Sequence, residues 1–220
     1  MDHKLQLSHV LYRVQDLHQA VGKLQDAGFI VEYGTTPEKA YNAFIWFEHG
    51  VFIEIYNNAR LPAPVQWLMK LLGYQPVLDR MDKWQQTENG WCEWSLESTD
   101  VHLDAEKYLL KRQHIPFKFH KTKRKDIKSQ VLRWELLMPN DIMFPFIMSA
   151  YVPNLKPKKV QHPNGVKSVT ALVVGKEQLN TALLSQLLSE ETGLKFIDGK
   201  AGLQEVELDD SSINITAILK

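Results

Sequence analysis

The chain has 220 residues, of which 44% are hydrophobic and 24% are charged, and its formal net charge is zero. This composition is typical of a folded globular protein, and the balanced charge argues against nucleic acid or an anionic membrane as a partner. A single cysteine, Cys92, excludes an intramolecular disulfide and favours a reducing compartment. The charged start of the chain differs from a signal peptide, and no apolar run approaches the roughly 18–20 residues of a membrane helix. We therefore expect a cytoplasmic protein.

Residues 1–57 are predicted to form a first module with the order strand, helix and three strands (βαβββ). Asp16 followed by Gln19 has the capping-box pattern that begins a helix, and Gly28 is a typical helix end. The helix is predicted over residues 16–27, and the strands over residues 7–14, 29–33, 42–47 and 51–56.

His9 on the first strand and Glu54 on the last strand are the candidate reactive residues of this module. The alternation of the first strand places His9 on one face together with Leu7 and Leu11. A single βαβββ module leaves one sheet face uncovered and therefore needs a partner module. We expect His9 and Glu54 to point into the groove between two modules.

Residues 58–89 are predicted to form a helical connector. Prolines interrupt the strand pattern, and two helices are predicted over residues 65–72 and 77–86. Four apolar side chains of the first helix are expected to pack against the protein or to cover a pocket mouth: Trp67, Leu68, Leu71 and Leu72.

Residues 90–151 are predicted to repeat the first module. The motif Asp16-Leu17-His18 returns as Asp100-Val101-His102 after a shift of 84 positions, and the same shift places Glu93 at the position of His9. A helix is predicted from Asp100 to about residue 113. The strands are predicted over residues 92–98, 115–119, 131–137 and 143–149.

Residues 152–220 are predicted to form a linker, residues 152–159, and a third βαβββ-like segment. Its position equivalent to His9 is roughly Ser168, which offers no strong metal or acid–base ligand. The strands are predicted over residues 166–174, 194–197, 203–208 and 213–218, and the helix over residues 176–188. Three copies at irregular spacing indicate internal duplication rather than a solenoid.

A basic cluster separates two predicted strands of the second module. Its members are Lys118, His120, Lys121, Lys123, Arg124, Lys125 and Lys128. We predict a solvated, mobile hairpin loop here, and the alternative is a site for a phosphate or a CoA-like tail. The neutral overall charge and the absence of a nucleic-acid motif argue against nucleic acid as the ligand.

His9, Glu54 and Glu93 together would supply one imidazole and two carboxylates, a set that suits Fe(II), Mn(II), Ni(II) or Zn(II). A catalytic metal needs about three protein ligands and open positions for the substrate. In the alternative, His9 is a hydrogen-bonded core histidine and Glu93 faces solvent. Without a metal, Glu54 beside His9 could act as a general base, because burial would raise its pKa.

Stretches along most of the chain carry a family resemblance. They include Ser8-His9-Val10-Leu11-Tyr12, Gly50-Val51-Phe52-Ile53-Glu54-Ile55, Leu132-Arg133-Trp134-Glu135-Leu136 and His162-Pro163-Asn164-Gly165. With these stretches the chain resembles the glyoxalase-like domain proteins of the vicinal oxygen chelate superfamily, which also contains bleomycin-resistance proteins and dioxygenases. The resemblance implies an α+β fold in which βαβββ modules pair into a curved, partly open barrel with helices outside.

The resemblance also implies a site. His9 and Glu54 match the first-strand histidine and last-strand glutamate that hold a divalent metal, and Glu93 would be a third ligand. His9 and Glu54 are the predicted catalytic residues, for lyase, isomerase or dioxygenase chemistry. The last strand of the second module has no ligand-type residue, which favours the alternative of a non-catalytic protein that sequesters a small molecule.

Five further residues are predicted to contact a small, partly apolar organic ligand: Asn42, Phe52, Tyr56, Trp134 and His162. Most strand aromatics are core residues, and the alternative role of His162 is a structural turn. A homodimer through paired sheet edges is one predicted assembly, and the alternative is that internal duplication satisfies these edges within one chain.

Overall fold

The computed structural model describes residues 4–57, 61–125, 130–154, 156–157, 160–189 and 193–220. Within these ranges the chain has an α+β fold with an eight-stranded sheet, a three-stranded sheet and six α-helices. The strands are β1 (Gln6–Val14), β2 (Glu32–Tyr33), β3 (Asn42–Ile45), β4 (Phe52–Asn57), β5 (Gly90–Glu97), β6 (Phe117–Lys125), β7 (Val131–Pro139), β8 (Phe146–Met148), β9 (Val169–Glu177), β10 (Leu194–Lys200) and β11 (Gly202–Leu208). The helices are α1 (Leu17–Asp26), α2 (Ala63–Leu71), α3 (Gln75–Gln86), α4 (Asp104–Arg112), α5 (Thr181–Leu187) and α6 (Ile215–Leu219). None of the helices in these ranges is long and apolar enough to cross a membrane.

The large sheet has the strand order β2-β3-β4-β1-β5-β8-β7-β6 and consists of two equivalent halves. In the first half β1 is parallel to β4, and in the second half β5 is parallel to β8. The antiparallel pair of β1 and β5 joins the halves. The predicted α+β fold of paired βαβββ modules in a curved, partly open barrel is therefore confirmed. The division of the chain at residues 57, 89 and 151 stays a prediction.

The sheet curls until its two edges approach each other. Arg124 on β6 donates a hydrogen bond to the carbonyl oxygen of Gly34, which follows β2, over 3.3 Å. Its guanidinium also lies 5.2 Å from the ring centroid of Phe44 on β3. Nearer the start of β6, the ring of His120 contacts Tyr74, just before α3, at 5.2 Å. The curl turns the concave face of the sheet into a groove.

The opposite face of the sheet carries the main hydrophobic core, which α1 covers. Asp16 caps α1 as predicted and accepts a hydrogen bond from the backbone N–H of Gln19 over 2.9 Å. Gly28 follows the helix with a φ of 82°, the left-handed conformation that ends many helices. The buried stripe of α1 consists of Leu17, Ala20, Val21 and Leu24.

The third segment departs from the predicted βαβββ order, because its last element is a helix. Residues 213–218 were expected as a strand, whereas α6 (Ile215–Leu219) occupies this position. The side chain of Asn214 caps α6 by accepting a hydrogen bond from the N–H of Ala217 over 2.9 Å. Ile215 and Leu219 are buried one helical turn apart. Within the preceding linker, residues 155, 158 and 159 lie outside the described ranges.

The connector contains the two predicted helices, but α2 does not pack as expected. Its apolar side chains are exposed: Trp67 at 64%, Leu68 at 52%, Leu71 at 64%, and the adjoining Leu72 at 63%. The buried side chains of the connector helices come from α3 instead, namely Val77, Leu78 and Arg80. The prediction of a packed first connector helix is therefore wrong.

The basic cluster lies on β6, so the prediction of a hairpin loop at this place is wrong. Residues 117–125 pair with residues 131–139 of β7 without interruption, from Phe117 opposite Pro139 to Lys125 opposite Val131. Lys128 lies outside the described residues. Charged side chains are tolerated on this strand because it is the edge of the sheet.

The helix of the second module begins later than predicted. α4 starts at Asp104, and Asp100 does not cap it. The N–H of Leu103 donates instead to Glu135 Oε2 on β7 over 2.9 Å. A carboxylate from a distant strand therefore accepts a hydrogen bond from a backbone N–H group at the start of α4. Local sequence patterns do not indicate this contact.

Candidate functional site

The concave face of the curled sheet encloses a cavity of about 340 Å³, called the groove below. Strands of both modules and α3 contribute to its walls. Five of the predicted site residues line it: His9, Asn42, Glu54, Tyr56 and Trp134. The fold therefore brings together residues from β1, β3, β4 and β7.

His9 is fixed on β1 through its imidazole Nδ1. Ser95 Oγ on β5 lies 2.8 Å from Nδ1, and Ser8 Oγ lies 3.2 Å from it. Both hydroxyl protons have other acceptors, the carbonyl oxygen of His9 for Ser95 and the carboxylate of Glu97 for Ser8. We infer that Nδ1 carries the imidazole proton and that Nε2 presents its lone pair to Glu54.

The surroundings of His9 keep its ring neutral. The ring is stacked on Phe52, with centroids 4.7 Å apart and an interplanar angle of 12°, and it contacts the edge of Phe146 at 5.4 Å. Burial, together with the positive charge of Lys156, lowers the pKa of His9 to about 3. Phe52 was predicted to bind substrate, but its packing makes it a support for the imidazole.

Glu54 presents one carboxylate oxygen to the groove. Its Oε1 accepts a hydrogen bond from Asn42 Nδ2 over 2.8 Å, while Oε2 lies 3.7 Å from His9 Nε2, beyond hydrogen-bond distance. Burial raises the pKa of Glu54, against the opposing effects of the Asn42 hydrogen bond and the Arg124 charge. The side chain remains 16% exposed, so a ligand in the groove can reach Oε2.

The close approach of Gly34 positions the side chain of Asn42. The N–H of Gly34 donates to the carbonyl oxygen of Asn42 over 3.0 Å. A Cβ atom at Gly34 would lie only 2.1 Å from Asn42 Oδ1, so a larger residue would displace the amide that holds Glu54.

Glu93, the predicted third metal ligand, is already held by α3. Its Oε2 accepts hydrogen bonds from Arg80 Nη1 at 2.6 Å, from Lys83 Nζ at 3.0 Å and from Trp84 Nε1 at 3.0 Å. Although burial alone would raise the pKa of Glu93, the charges of Arg80 and Lys83 lower it. This corrects the predicted set of three ligands, because two cations neutralise the carboxylate where a metal was expected.

Comparisons with known proteins agree with this geometry. The sequence profile described as a glyoxalase-like domain matches residues 7–189. The chain belongs to the glyoxalase-like domain family. No curated protein matches this glyoxalase-like protein.

Its fold also occurs in solved structures, including the following two. One is a hypothetical protein from Staphylococcus aureus, with a TM-score of 0.66, 14% identity, and coverage of 93% of this chain and 90% of the other. The second is the Mn(II)-bound glyoxalase from Novosphingobium aromaticivorans, with a TM-score of 0.55, 12% identity, and coverage of 99% of this chain and 69% of the other. At these identities the likeness concerns the fold alone.

The donor set of this glyoxalase-like protein does not fit a resident catalytic metal ion. His9 Nε2 and Glu54 Oε2 are two donors that face each other, whereas catalytic metals take about three protein ligands. Among the residues that the structure describes, no group of three or more His, Cys, Asp and Glu side chains could hold a metal ion. We therefore derive no reaction step through a metal.

His162 does not line the groove, which corrects its predicted role in substrate binding. Its Nδ1 accepts a hydrogen bond from the N–H of Ile30, and its Nε2 lies 3.0 Å from the carbonyl oxygen of Trp46. The ring packs between Phe29 and Phe47, at 5.3 Å from each. With both ring nitrogens bound to backbone groups, His162 joins the segment after the linker to the first module.

Sequence reasoning missed three residues that shape the site. Ser95 alternates with Glu93 on β5, so the strand pattern could have placed it on the concave face. Arg124 was assigned to a loop, although it lines the groove. Lys156, in the predicted linker, forms an ion pair with Glu97 at 2.5 Å, and no local pattern indicates this contact.

The neutral state of His9 predicts a specific pH dependence of stability. The folded state resists protonation of His9 down to about pH 3, whereas an unfolded histidine is protonated below about pH 6.5. The unfolded state therefore binds the additional proton in this range, so His9 contributes stability that is lost as the pH falls from about 6.5 towards 3.

The test is urea unfolding of the parent and of His9→Gln at about pH 4.5, 5.5, 6.5 and 7.5. The stability of the parent relative to His9→Gln is expected to fall by about 1 kcal/mol for each unit of pH decrease below about pH 6.5. It should be constant above about pH 7. His49→Gln is the control, because the side chain of His49 is 89% exposed. Parallel curves for the parent and His9→Gln would contradict a neutral buried His9.

Arg80→Met is expected to destabilise the protein by about 3–5 kcal/mol, because it leaves the buried carboxylate of Glu93 with incomplete compensation. It also removes hydrogen bonds to the carbonyl oxygens of Asp141 and Phe144. The matched control is Lys195→Met, which breaks the exposed pair of Lys195 and Glu207 and should cost less than about 1 kcal/mol. Equal decreases in the free energy of unfolding for the two variants, measured in urea, would show that the Arg80 network contributes little to stability.

Proposed function

We propose that this protein binds a small, partly apolar organic molecule in the groove and that Glu54 moves a proton on it, as in an isomerase or a lyase. The observation that carries the proposal is the pair of Glu54 and His9, in which Oε2 is open to the groove and lies 3.7 Å from Nε2. A partly buried carboxylate with a raised pKa is well suited to act as a general base near neutral pH.

The walls of the groove support a ligand with an apolar body. Tyr56, Trp84, Trp134 and Phe146 contribute aromatic surface, and Leu136 adds an aliphatic side chain. Pockets for small organic molecules typically combine such walls with a few fixed polar groups. Here those groups are concentrated at one place, around Glu54.

The proposed step is removal of a proton from a carbon atom next to a carbonyl group. Glu54 Oε2 takes the proton, the electron pair of the C–H bond forms the double bond of an enolate, and the carbonyl oxygen takes the negative charge. Arg124 lines the same groove and supplies positive charge for this oxygen. Return of the proton to a neighbouring atom completes an isomerisation, and loss of a leaving group from the neighbouring carbon completes an elimination.

A second candidate is a non-catalytic protein that sequesters its ligand. The neutralisation of Glu93 by Arg80 and Lys83 favours it, because the second module then offers no free carboxylate at the position equivalent to His9. Such a protein needs the aromatic walls of the groove but no proton transfer by Glu54.

Two expectations from the sequence stay predictions. A cytoplasmic location rests on composition and on the single cysteine. A homodimer through sheet edges rests on the unpaired edge strands β2 and β6, which Arg124 connects within one chain.

Glu54→Gln is expected to reduce proton exchange by about 100-fold or more, because a carboxamide cannot accept the proton. Parent and variant are incubated in D₂O with a panel of aryl and alkyl ketones, aldehydes and 2-oxo acids, and replacement of C–H by C–D is followed by NMR. In the parent the rate should rise with pH through the raised pKa of Glu54, because the base form is required. The control is Glu48→Gln, whose side chain is 49% exposed in the turn before β4.

The same experiment separates the candidates. Exchange that is lost in Glu54→Gln, retained in Glu48→Gln and unchanged after treatment with a chelator supports the metal-free reaction. Exchange that is lost on chelation and restored by Mn(II) contradicts it. Binding of panel compounds without exchange in the parent supports the sequestering protein and overturns the enzyme.

A further inference from the structure

A second cavity, of about 620 Å³, adjoins the groove at the β6–β7 hairpin and is called the outer cavity below. Thr122, Lys123 and Trp134 line both spaces. Because side chains alternate along a strand, Lys121, Lys123 and Arg133 belong to the opposite face of the hairpin from Trp134. The outer cavity therefore lies across the β6–β7 hairpin from the groove and has different chemistry.

The outer cavity has an excess of positive charge. Lys121, Lys123 and Arg133 are exposed along its wall. The carboxylate in this wall, Glu135, is already bound: Oε2 accepts from the N–H of Leu103 at 2.9 Å, and Oε1 lies 3.1 Å from His102 Nδ1. The Glu135 carboxylate also lies 3.9 Å from Lys121 Nζ, so it offsets part of the Lys121 charge.

Lys123 and Arg133 are direct partners across β6 and β7. Like charges directly opposite each other destabilise a strand pair. Within the described ranges, neither side chain forms an ion pair with an acidic residue. An anion bound between the two side chains would remove this repulsion, so the strand pairing itself favours an anionic ligand.

Apolar surface lies beside these cations. Val101 is 47% exposed and Val152 is 44% exposed, and both line the outer cavity. Adjacent cationic and apolar surfaces match a ligand that has both an anionic group and an apolar body.

We propose that the outer cavity binds an amphiphilic ligand, whose anionic group is a carboxylate or a phosphate and whose apolar body lies on Val101 and Val152. Lys123 and Arg133 hold the anion, and Lys121 adds to the positive field. This inference goes beyond the proposed function of the groove, since the outer cavity lies on the other face of the β6–β7 hairpin.

Two fluorescent probes with related skeletons test the proposal. 8-Anilinonaphthalene-1-sulfonate carries an anionic group, whereas N-phenyl-1-naphthylamine has a similar apolar body without charge. Both are titrated into the full chain, into Lys123→Gln and Arg133→Gln, and into the double variant. The control is Lys125→Gln, which removes a charge from the same exposed edge strand without lining the outer cavity.

Lys123→Gln and Arg133→Gln are each expected to weaken binding of the sulfonate probe by about fivefold, and the double variant by about tenfold or more. Binding of the neutral probe should change by less than about twofold, because no charge is lost on that ligand. Higher ionic strength should weaken sulfonate binding in the parent more than in the double variant. Circular dichroism of each variant checks that the fold is retained.

Unchanged sulfonate binding in the double variant, or an equal loss in Lys125→Gln, overturns the proposal. Tyr56→Leu, which alters the wall of the groove, separates this result from the proposed function. If Tyr56→Leu weakens both probes while the double variant weakens neither, the groove binds the ligand and the outer-cavity site fails. If the double variant weakens the sulfonate probe while Tyr56→Leu leaves both probes unchanged, the outer-cavity site holds and binding in the groove fails.

Discussion

The antiparallel pairing of β1 with β5 is the contact on which the site depends. It places the first strands of the two modules side by side, so that Ser95 of one module reaches the imidazole of His9 in the other. The parallel pairing of β1 with β4 then sets Phe52 opposite His9 and brings Glu54 to the same face of the sheet. The register of β1 and β5 shifts between Leu7 and Val10, which allows both Ser8 and Ser95 to contact Nδ1. A single module would provide His9 and Glu54 without the serine that fixes the tautomer of the imidazole.

The two similar halves of the sheet form an asymmetric site, and the buried charge of Glu93 explains how. A carboxylate that is taken out of water needs compensating charge, either a metal ion or cationic side chains. For Glu93 of the second module, α3 of the connector supplies Arg80 and Lys83, and Arg80 also donates to backbone carbonyl oxygens of residues 139, 141 and 144. The connector therefore stabilises the second module by binding the Glu93 carboxylate, which could otherwise have bound a metal. Reactive groups remain on the first module, where His9 is neutral and Glu54 keeps a free oxygen.

Local patterns predicted the βαβββ modules, and the family resemblance added their pairing into a curved barrel. Strand alternation and residue type were sufficient to place His9 and Glu54 in the groove. The same patterns failed where the local signal was weak or where the structure depends on contacts with distant residues. The apolar run at residues 213–218 fits either a strand or a helix, and the cap by Asn214 favours the helix. On β6 the density of charge concealed a regular alternation that pairs with β7 along its whole length. The partners of Glu93 and His162 could not be predicted, because they come from other elements and from backbone groups.

Strand alternation also separates the carboxylate of Glu54, in the groove, from the cations of the outer cavity. Trp134 faces the groove, whereas its neighbours Arg133 and Glu135 line only the outer cavity. An anionic group placed inside the groove would raise the pKa of Glu54 further, because like charges repel strongly where water is scarce. A larger fraction of Glu54 would then be protonated and unable to act as a base. An anion held between Lys123 and Arg133, on the far side of β7, avoids this conflict. The edge hairpin can thus bind an anion while the groove keeps a carboxylate that is able to ionise.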